Sequence, residues 1–215
     1  PPRSTLFPYT TLFRSISNRI KAIPPSLGRL HSLKILALDQ NQLQSLPESL
    51  SQLSLLEQIG LGENKFSSLP DCIYHFNMLK TLEISENQIE FISDQISNLT
   101  RLKDLNLQQN ALTSLSESIG HLHSLESLWL DHNQLASVPA TLGELPALTL
   151  LYLDNNALTA LPPSFARLAE GISIQLGQNP WGAPWKGLVR KGWWAVRQYC
   201  AELLRAEVRN TQKGR

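Results

Sequence analysis

Leu102-Lys103-Asp104-Leu105-Asn106-Leu107-Gln108-Gln109-Asn110-Ala111-Leu112-Thr113-Ser114-Leu115 decides the fold of this 215-residue chain, because its pattern returns every 23 residues. The asparagine marks the period: Asn18, Asn41, Asn64, Asn87, Asn110, Asn133, Asn156 and Asn179 stand at that one interval. A period of this length makes the chain an array of one supersecondary unit, each coil burying its apolar side against the next. Leucines at the first, fourth and sixth positions bracket a short strand. Its alternation sends Leu105 and Leu107 inward and Asp104, Asn106 and Gln108 outward. The asparagine follows where the chain turns off the strand, and its amide can pair backbone groups that the turn would otherwise bury alone. Asn41, Asn64, Asn87, Asn110, Asn133, Asn156 and Asn179 are therefore expected to form a structural ladder.

The return limb opens on proline in five of seven repeats (Pro24, Pro47, Pro70, Pro139 and Pro162) and on Ser93 and Ser116 in the other two. A helix tolerates a missing N–H at its start. Further along, Leu50 with Leu53, Ile73 with Phe76, Ile96 with Leu99 and Ile119 with Leu122 keep the three-residue spacing of one buried helical face.

The frame LxxLxLxxNxLxxLPxxLxxL is similar to the leucine-rich repeat in length and in the order of its apolar slots. That resemblance implies an α/β solenoid: a right-handed horseshoe with a parallel sheet on its concave side. The 23-residue frame with its Leu-Pro step resembles the intracellular group that includes Ras-pathway scaffolds, plant Ras-group repeat proteins and the repeat region of Roco proteins. It covers residues 16–180, about seven repeats and a partial one. Past it, Asn179-Pro180, Pro184, Leu188-Val189, Gly192, Ala195-Val196, Tyr199 and Leu203 resemble the exit segment of that group. Trp193, Val196, Tyr199, Cys200 and Leu203 follow three-and-four spacing, so 181–215 is read as a C-terminal capping helix and tail, with Arg190, Lys191, Arg197 and Arg205 left in solvent.

Residues 1–15, PPRSTLFPYTTLFRS, fall outside the pattern. They resemble a translated short-read sequencing adapter, codon for codon, and extending the repeat frame backwards puts Thr10 and Ser15 in slots that other repeats fill with apolar residues. The segment is set aside as a scar, and the natural protein is expected to carry more repeats.

Charge divides along the chain. Residues 16–180 hold nine lysines and arginines against sixteen acids, whereas 181–215 hold eight against two. An acidic solenoid with a basic tail is suited to a partner with a basic surface. No apolar run approaches the roughly 20 residues that span a bilayer. Asn179-Pro180 is followed by Trp181-Gly182-Ala183-Pro184 rather than by the cysteines of the secreted repeat cap, and Cys72 and Cys200 lie far apart. Both point to a reducing, cytoplasmic setting.

The chain holds no HExxH, CxxC, GxSxG, GxGxxG or GxxxxGK[ST] stretch, so no enzyme, cofactor or small-molecule substrate is expected. His121 and His123 lie two apart and do not face one another as a zinc pair would. Cys200 falls on the apolar stripe without a histidine partner. Nucleic-acid binding by the tail (Trp181, Trp185, Trp193 and Trp194) is a minor reading.

Function then rests on the outward strand positions. The third, fifth, seventh and eighth slots give Thr81, Glu83, Ser85 and Glu86, then Asp104, Asn106, Gln108 and Gln109, then Ser127, Trp129, Asp131 and His132, then Leu150, Tyr152, Asp154 and Asn155. Trp129 and Tyr152 share a slot in adjacent coils, flanked by Asp131 and Asp154. Exposed aromatics ringed by acids form a protein-binding hot spot, with His132, Asp104 and Glu83 beside it. The expectation is a non-enzymatic scaffold for protein interaction in intracellular signalling. Its alternative is the targeting fragment of a larger enzyme, a Roco-type GTPase or a repeat-linked kinase.

Overall fold

A computed structural model describes residues 10–213, so the first nine residues of the adapter-like segment lie outside it. Eight strands of three residues succeed one another: β1 (Leu12–Arg14), β2 (Ile35–Ala37), β3 (Gln58–Gly60), β4 (Thr81–Glu83), β5 (Asp104–Asn106), β6 (Ser127–Trp129), β7 (Leu150–Tyr152) and β8 (Ser173–Gln175). They pair in parallel, in chain order, as one sheet. Leu105 stands opposite Leu82 on one side and Leu128 on the other, so the ladder register equals the sequence period. Two helices close the chain, α1 (Trp185–Lys191) and α2 (Trp193–Lys213).

The return limbs are five-residue 3-10 helices, from Pro25–Arg29 to Pro163–Arg167. The three-residue apolar spacing explains the tighter form, since a 3-10 helix has 3.0 residues per turn and eclipses positions i and i+3. Leu50 and Leu53 are both fully buried, and the Leu53 N–H donates to the Leu50 carbonyl. Proline stands one residue before the helix, with the extended backbone of a capping position, as at Pro47 (φ −69°, ψ 139°). Where serine replaces it, the hydroxyl takes over: Ser93 Oγ accepts from Gln95 N at 3.3 Å and Ser116 Oγ from Ser118 N at 2.9 Å.

The core lies between sheet and 3-10 limbs. Leu102, Leu105, Leu107, Leu112 and Leu122 are all fully buried, and their counterparts in neighbouring coils continue the stack. The asparagine ladder closes each turn. Asn110 Nδ2 donates to the carbonyls of Ile84 (3.0 Å), Leu107 (3.1 Å) and Gln108 (3.3 Å), while its Oδ1 accepts from Ile89 N at 2.9 Å. One side chain thus ties two coils together, and Asn41, Asn64, Asn87, Asn133, Asn156 and Asn179 repeat the arrangement.

Residue eight of every coil takes a left-handed backbone without being glycine: Ser17, Gln40, Glu63, Glu86, Gln109, His132, Asn155 and Gln178 have φ between 46° and 57°. Unbranched polar residues tolerate this region, and β-branched ones do not. The turn between strand and asparagine requires it in each repeat.

At the C-terminal end α2 packs on the last 3-10 limb. Val196 and Cys200 are fully buried and Ala195 and Trp185 nearly so, while Trp193, Tyr199 and Leu203 pack at the edge of the core. Arg197 departs from the expectation of solvent exposure: its Nε donates to the Leu168 carbonyl at 3.1 Å and its Nη1 pairs with Glu170 at 3.0 Å. A carbonyl left open at the end of the array explains the pull.

At the other end, β1 extends the sheet through Phe13, which packs partly buried against the core, so the adapter-like segment fills one apolar slot. Pairing at a sheet edge needs only backbone and one apolar residue in register. Leu12 stays exposed. Removing residues 1–15 forfeits that half-burial and the edge hydrogen bonds of β1, among them Ser15 N to the Ala37 carbonyl and Ile35 N to the Thr11 carbonyl, which water replaces in large part. The net loss is about 1–2 kcal/mol, so the thermal midpoint is expected to fall by no more than about 8 °C. A larger drop in a calorimetric scan would make the segment an integral cap.

Candidate recognition surface on the open face of the sheet

The outward residues of β4 to β7 form the surface that the sequence pattern singles out. Trp129 and Tyr152 stand opposite one another in register on β6 and β7, each half-buried. Asn106 precedes them in the same slot on β5. Strand alternation places these side chains, because Leu128 and Leu151 between their neighbours point into the core and are fully buried.

Glu83 and Asn106 are linked across β4 and β5. Asn106 Nδ2 donates to Glu83 Oε2 at 2.7 Å, Ser85 N donates to Glu83 Oε1 at 2.9 Å, and Gln108 N donates to Asn106 Oδ1 at 3.0 Å. Glu83 is therefore a charge held in place rather than a free contact. Asp104 is half-buried beside it, and Glu63 and Glu86 are exposed on the turn. The face is acidic along this stretch.

Asp131 and Asp154 are placed differently from the expectation of two open, flanking acids. Asp131 is only 5% exposed, and its Oδ2 lies 3.0 Å from His132 Nδ1. Asp154 is half-buried, and its Oδ2 accepts from Asn155 Nδ2 at 3.1 Å. The Oδ1 atoms of both are buried without a hydrogen-bond partner among the described residues. Strict alternation ends with the three-residue strand, so the seventh slot, two residues further, turns back against the sheet instead of standing out from it. His132 remains half-exposed, with its backbone N–H donating to the Asp154 carbonyl at 3.1 Å.

The signal for this pairing was aspartate at the seventh slot of two consecutive coils, where Gly62, Ser85 and Gln108 stand in the preceding three. Asp39 occupies the same slot earlier and solves the problem locally, its Oδ1 accepting from Gly62 N at 3.0 Å. A Cβ at Gly60 would sit 2.4 Å from Asp39 Oδ2, so any side chain there would push the Asp39 carboxylate aside.

At the strand entries, Glu57 is clasped by Lys80 (2.6 Å) and Lys34 (3.2 Å). Lys80 above all holds its carboxyl below the usual range. Burial pushes the Cys72 thiol up to about 12 and the Cys200 thiol up to about 11, so neither supplies a thiolate nucleophile at neutral pH. Of the tail tryptophans, Trp185 is buried edge-on against Tyr199 (centroids 5.2 Å apart) and Trp181 Nε1 donates to the Leu176 carbonyl at 2.8 Å. Of the four, Trp194 is the most open, at 63% exposed. No helix among the described residues is long and apolar enough to cross a membrane.

A parallel sheet of short strands, a 3-10 return limb and an asparagine at each turn define a solenoid that presents one face of its sheet for contact. The family described as "Leucine rich repeat" matches residues 17–66 and 77–135, and "Leucine Rich repeats (2 copies)" matches 123–166. The chain belongs to the leucine-rich repeat family. Similar solved structures include a leucine-rich-repeat protein of Leptospira interrogans, 32% identical over 81% of this chain and 50% of that one, with a TM-score of 0.68. The ectodomain of the Arabidopsis thaliana membrane receptor kinase GASSHO1/SCHENGEN3, in complex with CASPARIAN STRIP INTEGRITY FACTOR 2, is 32% identical over 76% of this chain and 20% of that one, with a TM-score of 0.68. The plant peptide hormone receptor RGFR1 in complex with RGF2 is 28% identical over 75% and 27%, with a TM-score of 0.67. The chain thus spans half or less of each. No curated protein matches it.

Proposed function

We propose that this leucine-rich-repeat domain is a non-enzymatic scaffold that binds a protein or peptide on the open face of its sheet, centred on Trp129 and Tyr152, in intracellular signalling. The observation that carries this reading is the in-register aromatic pair, two large half-exposed rings on neighbouring strands. Aromatic anchors of this kind dominate binding energy in protein interfaces. Two of the similar structures hold a peptide or protein ligand of their own, which supports peptide or protein recognition. The acidic strip of Glu63, Glu83, Glu86 and Asp104 favours a partner presenting lysine or arginine, and steers its approach. The cytoplasmic setting is supported by two cysteines that are free and buried.

Binders enriched from a displayed peptide library on the whole chain supply the test. Trp129→Ala is expected to weaken them by about 2 kcal/mol, roughly thirtyfold, without unfolding the solenoid. Asp104→Asn with Glu86→Gln is expected to slow association and flatten its salt dependence. If both variants bind normally while Glu117→Ala or Glu144→Ala on the 3-10 side abolishes binding, the interface lies on the opposite face.

A second reading has its own support. One similar structure is the ectodomain of a receptor kinase, of which the chain covers 20%. The domain then serves as the targeting part of a larger enzyme, a kinase or a Roco-type GTPase, and a full-length transcript encoding a catalytic domain would establish it.

A further inference from the structure

We propose that Asp131, His132 and Asp154 bind a first-row divalent metal ion of the zinc or manganese class, where the chain leaves β6 and β7. The inference stands apart from protein recognition and does not rest on it.

Three observations converge on the site. Asp131 is buried, its side chain only 8% exposed, and its Oδ1 has no partner among the described residues; Asp154 Oδ1 in the next coil is buried in the same condition. Two buried carboxylate oxygens on adjacent coils therefore lack any donor, whereas Glu83 on β4 has both of its oxygens engaged. Among the described residues no lysine or arginine forms an ion pair with either aspartate; the side chain beside Asp131 is the imidazole of His132. A buried anion without a counter-charge calls for a cation.

The geometry selects the kind of cation. One ligand atom from each of the three residues lies within 4.8 Å of the others. His132 Nδ1 and Asp131 Oδ2 are 3.0 Å apart. Two ligands each about 2.1 Å from a shared ion, at tetrahedral or octahedral angles, stand roughly 2.9–3.4 Å apart. The hydrogen bond between Asp131 and His132 already sets that separation, and the ligand atom of Asp154 stands within 4.8 Å of both. An imidazole nitrogen with two carboxylate oxygens suits zinc or manganese, whereas calcium and magnesium prefer oxygen alone. The left-handed backbone at His132 (φ 55°) and its N–H bond to the Asp154 carbonyl hold the ring beside both acids. Three protein ligands leave a coordination position for water or for a side chain from outside.

Isothermal titration of the EDTA-stripped whole chain with ZnCl2 tests the site, with MnCl2 as a second probe read by paramagnetic broadening of the His132 and Asp154 amide signals. One equivalent of zinc is expected to bind in the micromolar range. Asp131→Asn with Asp154→Asn should lower affinity at least thirtyfold and His132→Gln at least tenfold, while His121→Gln with His123→Gln should leave it unchanged. In EDTA the double asparagine variant should melt at or above the unmodified chain, because it removes two facing anions, so loss of binding in it reports the ligands and not misfolding. Absence of saturable uptake, uptake unaffected by the double variant, or uptake lost in the His121/His123 variant overturns the proposal. So does a chain that takes no metal but loses a lysine-bearing peptide on Asp131→Asn with Asp154→Asn, which would make the pair an ammonium seat.

Discussion

Truncation after Pro180 is expected to destabilise the array by about 2–4 kcal/mol, the scale of a lost core contact. Each coil of a solenoid is covered by its successor, and the last coil has none. Here α1 and α2 supply the missing cover: Val196 and Cys200 are fully buried on the limb Pro163–Arg167, Trp185 is 6% exposed, and Arg197 satisfies the Leu168 carbonyl. Val196→Asp tests the same point without shortening the chain, because it puts an unpaired carboxylate at a position with no exposure, again about 2–4 kcal/mol. Urea unfolding monitored by circular dichroism should show both midpoints lowered. Curves that coincide with that of the unmodified chain would mean that the helix does not cap the array.

Asn110→Ala is expected to cost about 1–3 kcal/mol, since it leaves the Ile89 N–H without its acceptor and takes one of two donors from the Ile84, Leu107 and Gln108 carbonyls, in two coils at once. Gln109→Ala beside it should cost under about 0.5 kcal/mol, because the side chain is exposed and alanine meets much the same left-handed strain that glutamine already bears. The contrast matters more than either value. Equal losses in chemical denaturation would contradict the assignment of the asparagine as the residue that knits coils together.

Much of this architecture was legible because a single number governs it. The 23-residue interval between asparagines equals the strand offset, so the pairing of Leu105 with Leu128 could be read from the spacing alone. The three-residue spacing of Leu50 and Leu53 was visible too, but periodicity over so few positions does not separate a 3-10 turn from the first turn of an α-helix. The candidate site was legible where alternation holds: Trp129 and Tyr152 stand where their slot predicts. It failed one step beyond the strand. Asp131 was expected in the open and is buried, because the chain is already turning at the seventh slot and parity no longer says which way a side chain points. Arg197 escaped for another reason: its partner, the Leu168 carbonyl, belongs to the end of the last 3-10 limb, 29 residues away, which no pattern marks.

The left-handed residue at the eighth slot has a consequence for how such a surface can diversify. Valine, isoleucine and threonine are shut out of that row by their own branching. Charge is not shut out: Glu63 and Glu86 are succeeded by neutral Gln109 and then by His132, all with the same backbone. The row behaves as an alphabet restricted in shape but free in sign, so successive coils can rewrite the electrostatic message they present to a partner while the solenoid beneath them stays the same.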